Sequence, residues 1–256
     1  MGDIDQALAR AYARRTPAES SSSPPPPHFA VELPGRPAGS APSIALEWPS
    51  AVRALERGHG DRFDRLADAL IAARDRRQTR VLLFTSCHRS EGRSTLVLTL
   101  ARALARRPGR TLLVDADLSG PMLARLLGLR PRVGLDDVIE GGAATADAVI
   151  DAPDDHLCVL PLRAPVARPR EFLAGPAWPT LMARLRRDFD LVLVDGSPLF
   201  AGLSAPALPH AMDAAILVHN RALTGARAVL RAREALEAGG IPLLGMADFR
   251  LSISKQ

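Results

Sequence analysis

Beyond about Ile44 the chain alternates short, continuous apolar runs with stretches whose apolar residues recur at helical spacing. The runs are Val81 to Phe84, Thr111 to Val114, Leu157 to Leu160, Leu191 to Val194, Ala214 to Val218 and Ile241 to Met246. They are apolar at consecutive rather than alternate positions, as in strands covered on both faces. The spacing predicts helices near 62–76, 94–107, 120–127, 176–187 and 222–238, the last stopped by the Gly239-Gly240 pair. Strand and helix in alternation predict an α/β domain, with a doubly wound, mostly parallel sheet and helices on both faces.

The chain before Ile44 has a different texture. Ile4, Leu8 and Tyr12 fall four apart on one face of an expected helix over 3–15, with Asp3 and Asp5 in its first turn and Arg14-Arg15 in its last. Residues 16–43 carry the run Ser20 to Ser23 followed by Pro24 to Pro27, and read as a flexible, partly polyproline linker. The organisation expected is a docking helix at 1–15, a linker at 16–43 and one folded domain at 44–256. A helix folded back onto that domain is the competing reading of 1–15.

Composition adds exclusions. A chain of 256 residues with 47% hydrophobic residues can bury one ordinary core. No apolar run reaches the ~18 residues that cross a bilayer, and the first residues lack the pattern of a secretory signal, so the expectation is a cytoplasmic protein, recruited to the inner membrane only through a partner. The formal charge of +5 points to nucleic acid at first sight, but Lys255 is the only lysine and the arginines are scattered in short doublets. That is biased composition rather than a basic patch, and it disfavours nucleic-acid binding. Cys87 and Cys158, the only cysteines, are expected to be reduced and buried.

The chemistry lies in the loops that follow the strands. After the first strand comes Cys87-His88-Arg89-Ser90-Glu91-Gly92-Arg93-Ser94-Thr95 and then a helix, the place and length of a Walker A phosphate loop. Such a loop wraps backbone N–H groups around phosphates at a helix N-terminus. Residues Ser90 to Thr95 are the candidate nucleotide contacts, with the Ser94 hydroxyl on Mg²⁺. Three positions depart from the motif: Cys87 stands for the opening small residue, Ser90 for a mid-loop glycine and Arg93 for the lysine. Taken alone, the loop reads equally well as an ordinary strand–turn–helix.

Two further loops change that balance. The second strand runs into Asp115-Ala116-Asp117, and a later one into Asp195-Gly196-Ser197-Pro198, the Walker B pattern that holds Mg²⁺. Either aspartate alone is often a helix cap. Three such loops at the carboxyl edge of one sheet are a more specific coincidence.

These motifs in this order resemble the bacterial tyrosine kinases (BY-kinases), a branch of the MinD/ParA superfamily of P-loop ATPases. The likeness extends to Gly134-Leu135-Asp136-Asp137-Val138-Ile139-Glu140-Gly141, to Leu160-Pro161 through Pro169-Arg170-Glu171-Phe172-Leu173, and to Phe189 through Asp195, covering about residues 60–250. The resemblance implies ATP and Mg²⁺ as cofactors, with Ser94, Asp117 and Asp195 on the metal. It implies Asp115 orienting or activating the attacking group and Arg93 at the phosphates. It further implies a membrane polysaccharide co-polymerase, or another export-complex protein, as partner, and possible homo-oligomers.

The departures are informative too. Ser119 stands where the family's D-x-D-x-R has arginine. The family's ring-assembling E-x-x-R-x-x-R is replaced by Asp61, Asp64 and Ala67, and Tyr12 is the only tyrosine, so the tail from Leu251 to Gln256 offers no acceptor. Three readings stay open: a degenerate, weakly active or inactive nucleotide-binding regulator of exopolysaccharide export, an active tyrosine kinase or ATPase with an unusual loop, and a ParA/MinD-like positioning ATPase. An absent second lysine in the loop weighs against the last.

Overall fold

The computed structural model describes residues 44–200 and 211–248. The expected helix at 3–15, the linker at 16–43 and the tail from Leu251 lie outside the described residues.

Seven strands form a single sheet in the order β3-β4-β2-β5-β1-β6-β7 among the described residues. They are β1 (Val81–Ser86), β2 (Thr111–Ala116), β3 (Ile150–Ala152), β4 (Leu157–Leu160), β5 (Leu191–Gly196), β6 (Ala214–His219) and β7 (Leu243–Asp248). Every pairing is parallel except that of β3 with β4. β1, β2, β5 and β6 are buried at all positions, which is why their sequences lack the alternation of a half-exposed strand.

Helices cover both faces. On one, α1 (Ser50–Arg77) and α2 (Arg93–Ala105) bury Val52, Leu66, Leu70, Val97 and Leu100 against Phe84 and Leu193. On the other, α7 (Ala177–Asp188) and α8 (Ala226–Ala238) set Trp178, Leu181, Leu185 and Leu236 over Val81, Val192 and Val194. Between them in chain order lie the short α3 (Leu123–Leu126), α4 (Leu135–Ile139), α5 (Thr145–Ala148) and α6 (Pro169–Ala174).

Several boundaries differ from the sequence expectation. α1 begins twelve residues before the expected 62, running through Gly58-His59-Gly60 with a kink at His59 (φ −143°, ψ 19°). Glycine is a poor helix former, and tertiary packing on α2 overrides it: Glu56 accepts from Arg102 at 3.0 Å and Arg106 at 2.7 Å. The helix expected at 120–127 shrinks to one turn, and that at 222–238 starts only at Ala226. The strand β3 and helices α4 to α6 were not expected, being too short for periodicity to register.

The described chain enters along a strap. Asp155 accepts from the Leu46 N–H at 2.9 Å and from Trp48 Nε1 at 2.8 Å, and the Arg102 guanidinium lies over the Trp48 ring at 4.7 Å.

Candidate functional site

The sheet order places the ends of β2, β5 and β1 side by side. Asp115 and Asp195 are register partners on neighbouring parallel strands, so their carboxylates share one face of the sheet at its carboxyl edge. Gly196 permits the crowding here, since a Cβ there would stand 2.5 Å from Leu83 Cδ1.

The loop from β1 to α2 holds a tight shape. Ser90 has φ 63° and Gly92 φ 88°. The left-handed region is cheap for glycine and strained by about 1 kcal/mol or more for a residue with a Cβ. The Glu91 carboxylate turns inward, accepting from the His88 N–H at 2.7 Å, from the Asn220 N–H at 3.2 Å and from the Thr224 hydroxyl. Glu91 thus ties the loop to the segment after β6, and its oxygens are spent on the protein. Cys87 is a free, buried thiol pushed up to about 12 by burial and by Glu91.

Arg93 is the first residue of α2, and its side chain does not extend over the loop. The guanidinium lies across the carboxylate pocket, with Nε donating to Asp195 Oδ1 at 2.6 Å and Nη2 to Asp117 Oδ2 at 2.8 Å. Nη1 adds a long contact to the Ser86 hydroxyl at 3.4 Å. The group is buried, at 8% exposure. Burial alone would pull the guanidinium down, but Asp195 and Asp117 outweigh it and hold Arg93 above the ordinary arginine value.

Around this pair Asp117 and Asp115 accept further hydrogen bonds. Asp117 Oδ1 accepts from the Ser197 hydroxyl at 3.1 Å and the Ser119 hydroxyl at 3.3 Å. Arg89 donates to the Ser119 oxygen at 2.7 Å and approaches Asp117 Oδ2 at 3.5 Å, lying so close over Gly120 that a Cβ there would meet its Nη1 at 2.7 Å. Asp115 accepts from the Met122 and Leu123 N–H groups at 2.9 and 2.8 Å, capping α3, and from the Asp117 N–H at 3.3 Å. Burial, and then the charge of Asp195, push its carboxyl up to about 7.

The structure therefore brings together Arg93, Asp115, Asp117 and Asp195, and sets Ser94 and Thr95 half-buried in the first turn of α2. In this structure each of these groups meets the protein itself. Arg93 faces carboxylates instead of the loop, Asp115 serves as a helix cap, and Glu91 braces the loop. Sequence reasoning missed Arg89 and Ser197. The signal for Ser197 was available, a hydroxyl two residues past Asp195 on the same turn. Among the described residues, no group of three His, Cys, Asp or Glu side chains could hold a metal ion.

No family model matches the chain. Individual proteins do. Tyrosine-protein kinase YwqD of Bacillus subtilis is 30% identical over 169 residues, 66% of this chain and 71% of that one. Succinoglycan biosynthesis transport protein ExoP of Rhizobium meliloti is 30% identical over 155 residues, 59% of this chain and 20% of that much longer one. Among solved structures, the kinase domain of VpsO is similar at a TM-score of 0.68 with 26% identity, covering 77% of this chain and 98% of that one. With its parallel sheet, phosphate-type loop and paired strand-end aspartates, the chain belongs to the bacterial tyrosine kinase (BY-kinase) family of P-loop proteins.

Proposed function

We propose that this protein works in exopolysaccharide biosynthesis or export as a regulator with little or no phosphoryl transfer of its own. In this reading it docks on a membrane polysaccharide co-polymerase, or on another protein of the export complex, at the cytoplasmic face. One observation carries the loss of catalysis: Arg93 spends its guanidinium on Asp117 and Asp195.

Phosphoryl transfer relies on positioning and charge neutralisation at the phosphates. A residue 93 that neutralises the pocket carboxylates does neither for a nucleotide. The α1 surface supports the same reading: Asp64, where the family resemblance places a ring-assembling arginine, pairs with Arg106 and Arg107 of its own chain. The relationship to ExoP favours polysaccharide as the process served. No described helix is long and apolar enough to cross a membrane, and residues 1–15, with Ile4, Leu8 and Tyr12 four apart, are the proposed contact with the partner.

The test is turnover by the full chain with labelled ATP and Mg²⁺, alongside phosphotyrosine detection. Hydrolysis indistinguishable from that of Asp195→Ala is expected. Turnover that Asp195→Ala abolishes, or phosphotyrosine that Tyr12→Phe removes, would show an active enzyme instead.

A further inference from the structure

We infer that Arg93 is the resident cation of the carboxylate pocket, so that the site excludes magnesium and holds its three loops together without metal or nucleotide. The inference rests on the regulator reading above and says how that regulator is held.

The donor set decides whether Mg²⁺ fits. Magnesium demands near-octahedral oxygen ligands at roughly 2.0–2.1 Å and gives up its waters reluctantly. Of the three residues the resemblance puts on the metal, Ser94, Asp117 and Asp195, both aspartates already accept from the Arg93 fork, Asp117 through Oδ2 at 2.8 Å and Asp195 through Oδ1 at 2.6 Å. Asp117 Oδ1 is occupied by the hydroxyls of Ser197 and Ser119. A metal and the guanidinium compete for the same lone pairs, and the residues present do not fit the ion. Displacing Arg93 would require swinging a buried guanidinium out of the pocket while it remains anchored at the start of α2.

The guanidinium also performs the structural work of a bridging cation. It joins the start of α2 to the loop after β2 through Asp117 and to the end of β5 through Asp195. A planar fork with donors on separate nitrogens can span two carboxylates, whereas an ammonium is a single point charge. Arg89 reinforces the closure through Ser119 and Asp117. The three loops that a magnesium–nucleotide complex would gather are therefore gathered by the protein itself, and partners would meet a constant surface at this edge.

The experiment uses the full chain and Mn²⁺ as a spectroscopic probe for Mg²⁺. Electron paramagnetic resonance of Mn²⁺ without nucleotide should show only free ion with the wild type. Arg93→Ala vacates the pocket and should bind Mn²⁺ at least about tenfold more tightly than wild type, with a melting temperature that rises on adding Mg²⁺ and falls in EDTA. Bound Mn²⁺ in the wild type, displaced by Mg²⁺, overturns the inference. So does a folded Arg93→Ala that holds Mn²⁺ no better than wild type. Should Arg93→Ala not fold, the neutral Arg93→Gln carries the same comparison and the wild-type spectrum stands by itself. Metal bound without hydrolysis would sink this inference and leave the regulator reading intact. Hydrolysis that persists in EDTA would do the reverse.

Discussion

Two arginine–carboxylate networks sit at opposite ends of α2, and they differ sharply in burial. At the start of the helix, the Arg93 side chain is 9% exposed and its partners Asp117 and Asp195 are 3% and 1% exposed. At the end, Arg107 meets Asp64 and Asp68, which are 40% and 66% exposed, and Arg106, itself 45% exposed, also reaches Asp64. Breaking a buried pair strands a charge where water cannot reach it, a loss of about 3–5 kcal/mol, whereas exposed pairs are typically worth ~1 kcal/mol or less. The same arginine-rich composition thus supplies a determinant of the site in one place and a solvated trim on a helix pair in the other.

The largest effect should come from Arg93→Ala, which leaves Asp195 buried without its cation and Asp117 with only the longer contact to Arg89. Urea unfolding in EDTA should show a loss of about 3–5 kcal/mol, and a loss under 1 kcal/mol would erase the contrast between the two networks. Arg93→Lys keeps the charge but cannot span both carboxylates. A loss of about 2 kcal/mol is expected by the same measurement, the scale of a charged hydrogen bond.

Ser90→Gly sharpens the comparison from within the loop. Its φ of 63° is a conformation that favours glycine, so relief of strain should raise stability by about 1 kcal/mol. A loss would mean that the loop depends on the serine.

Asp64→Ala should have the smallest effect, less than about 1 kcal/mol and vanishing in high salt, where the screening length falls to roughly 3 Å. Its pH dependence has a definite sign. Hydrogen bonds from Arg106 and Arg107 hold the Asp64 carboxyl below its ordinary value of 3.8. The stabilisation is therefore present above that value and lost as pH falls through the depressed one. Wild type and Asp64→Ala should differ in stability at pH 7 and converge in acid.

The legibility of this protein in its sequence varied by element. The buried strands announced themselves as continuous apolar runs, because a strand covered on both faces has no polar side to show. The Gly58-His59-Gly60 stretch of α1 hid its first turns, because contacts with Arg102 and Arg106 on another helix outweigh local propensity. α3 reads as two turns by spacing, yet only Leu123 to Leu126 are helical, held at their start by Asp115.

What the sequence determined by itself is the fold class, six of the seven strands, the order of the site loops along the chain and the family, since burial on two faces and motif spacing are written locally along the chain. What only the tertiary structure decided is where one side chain goes. Arg93 lies 24 residues from Asp117 and 102 from Asp195, and nothing local says whether its guanidinium reaches over the loop or back into the pocket. The parallel sheet sets β2 beside β5 and both carboxylates within reach of the start of α2. There, with water excluded, two negative charges hold the nearest positive one.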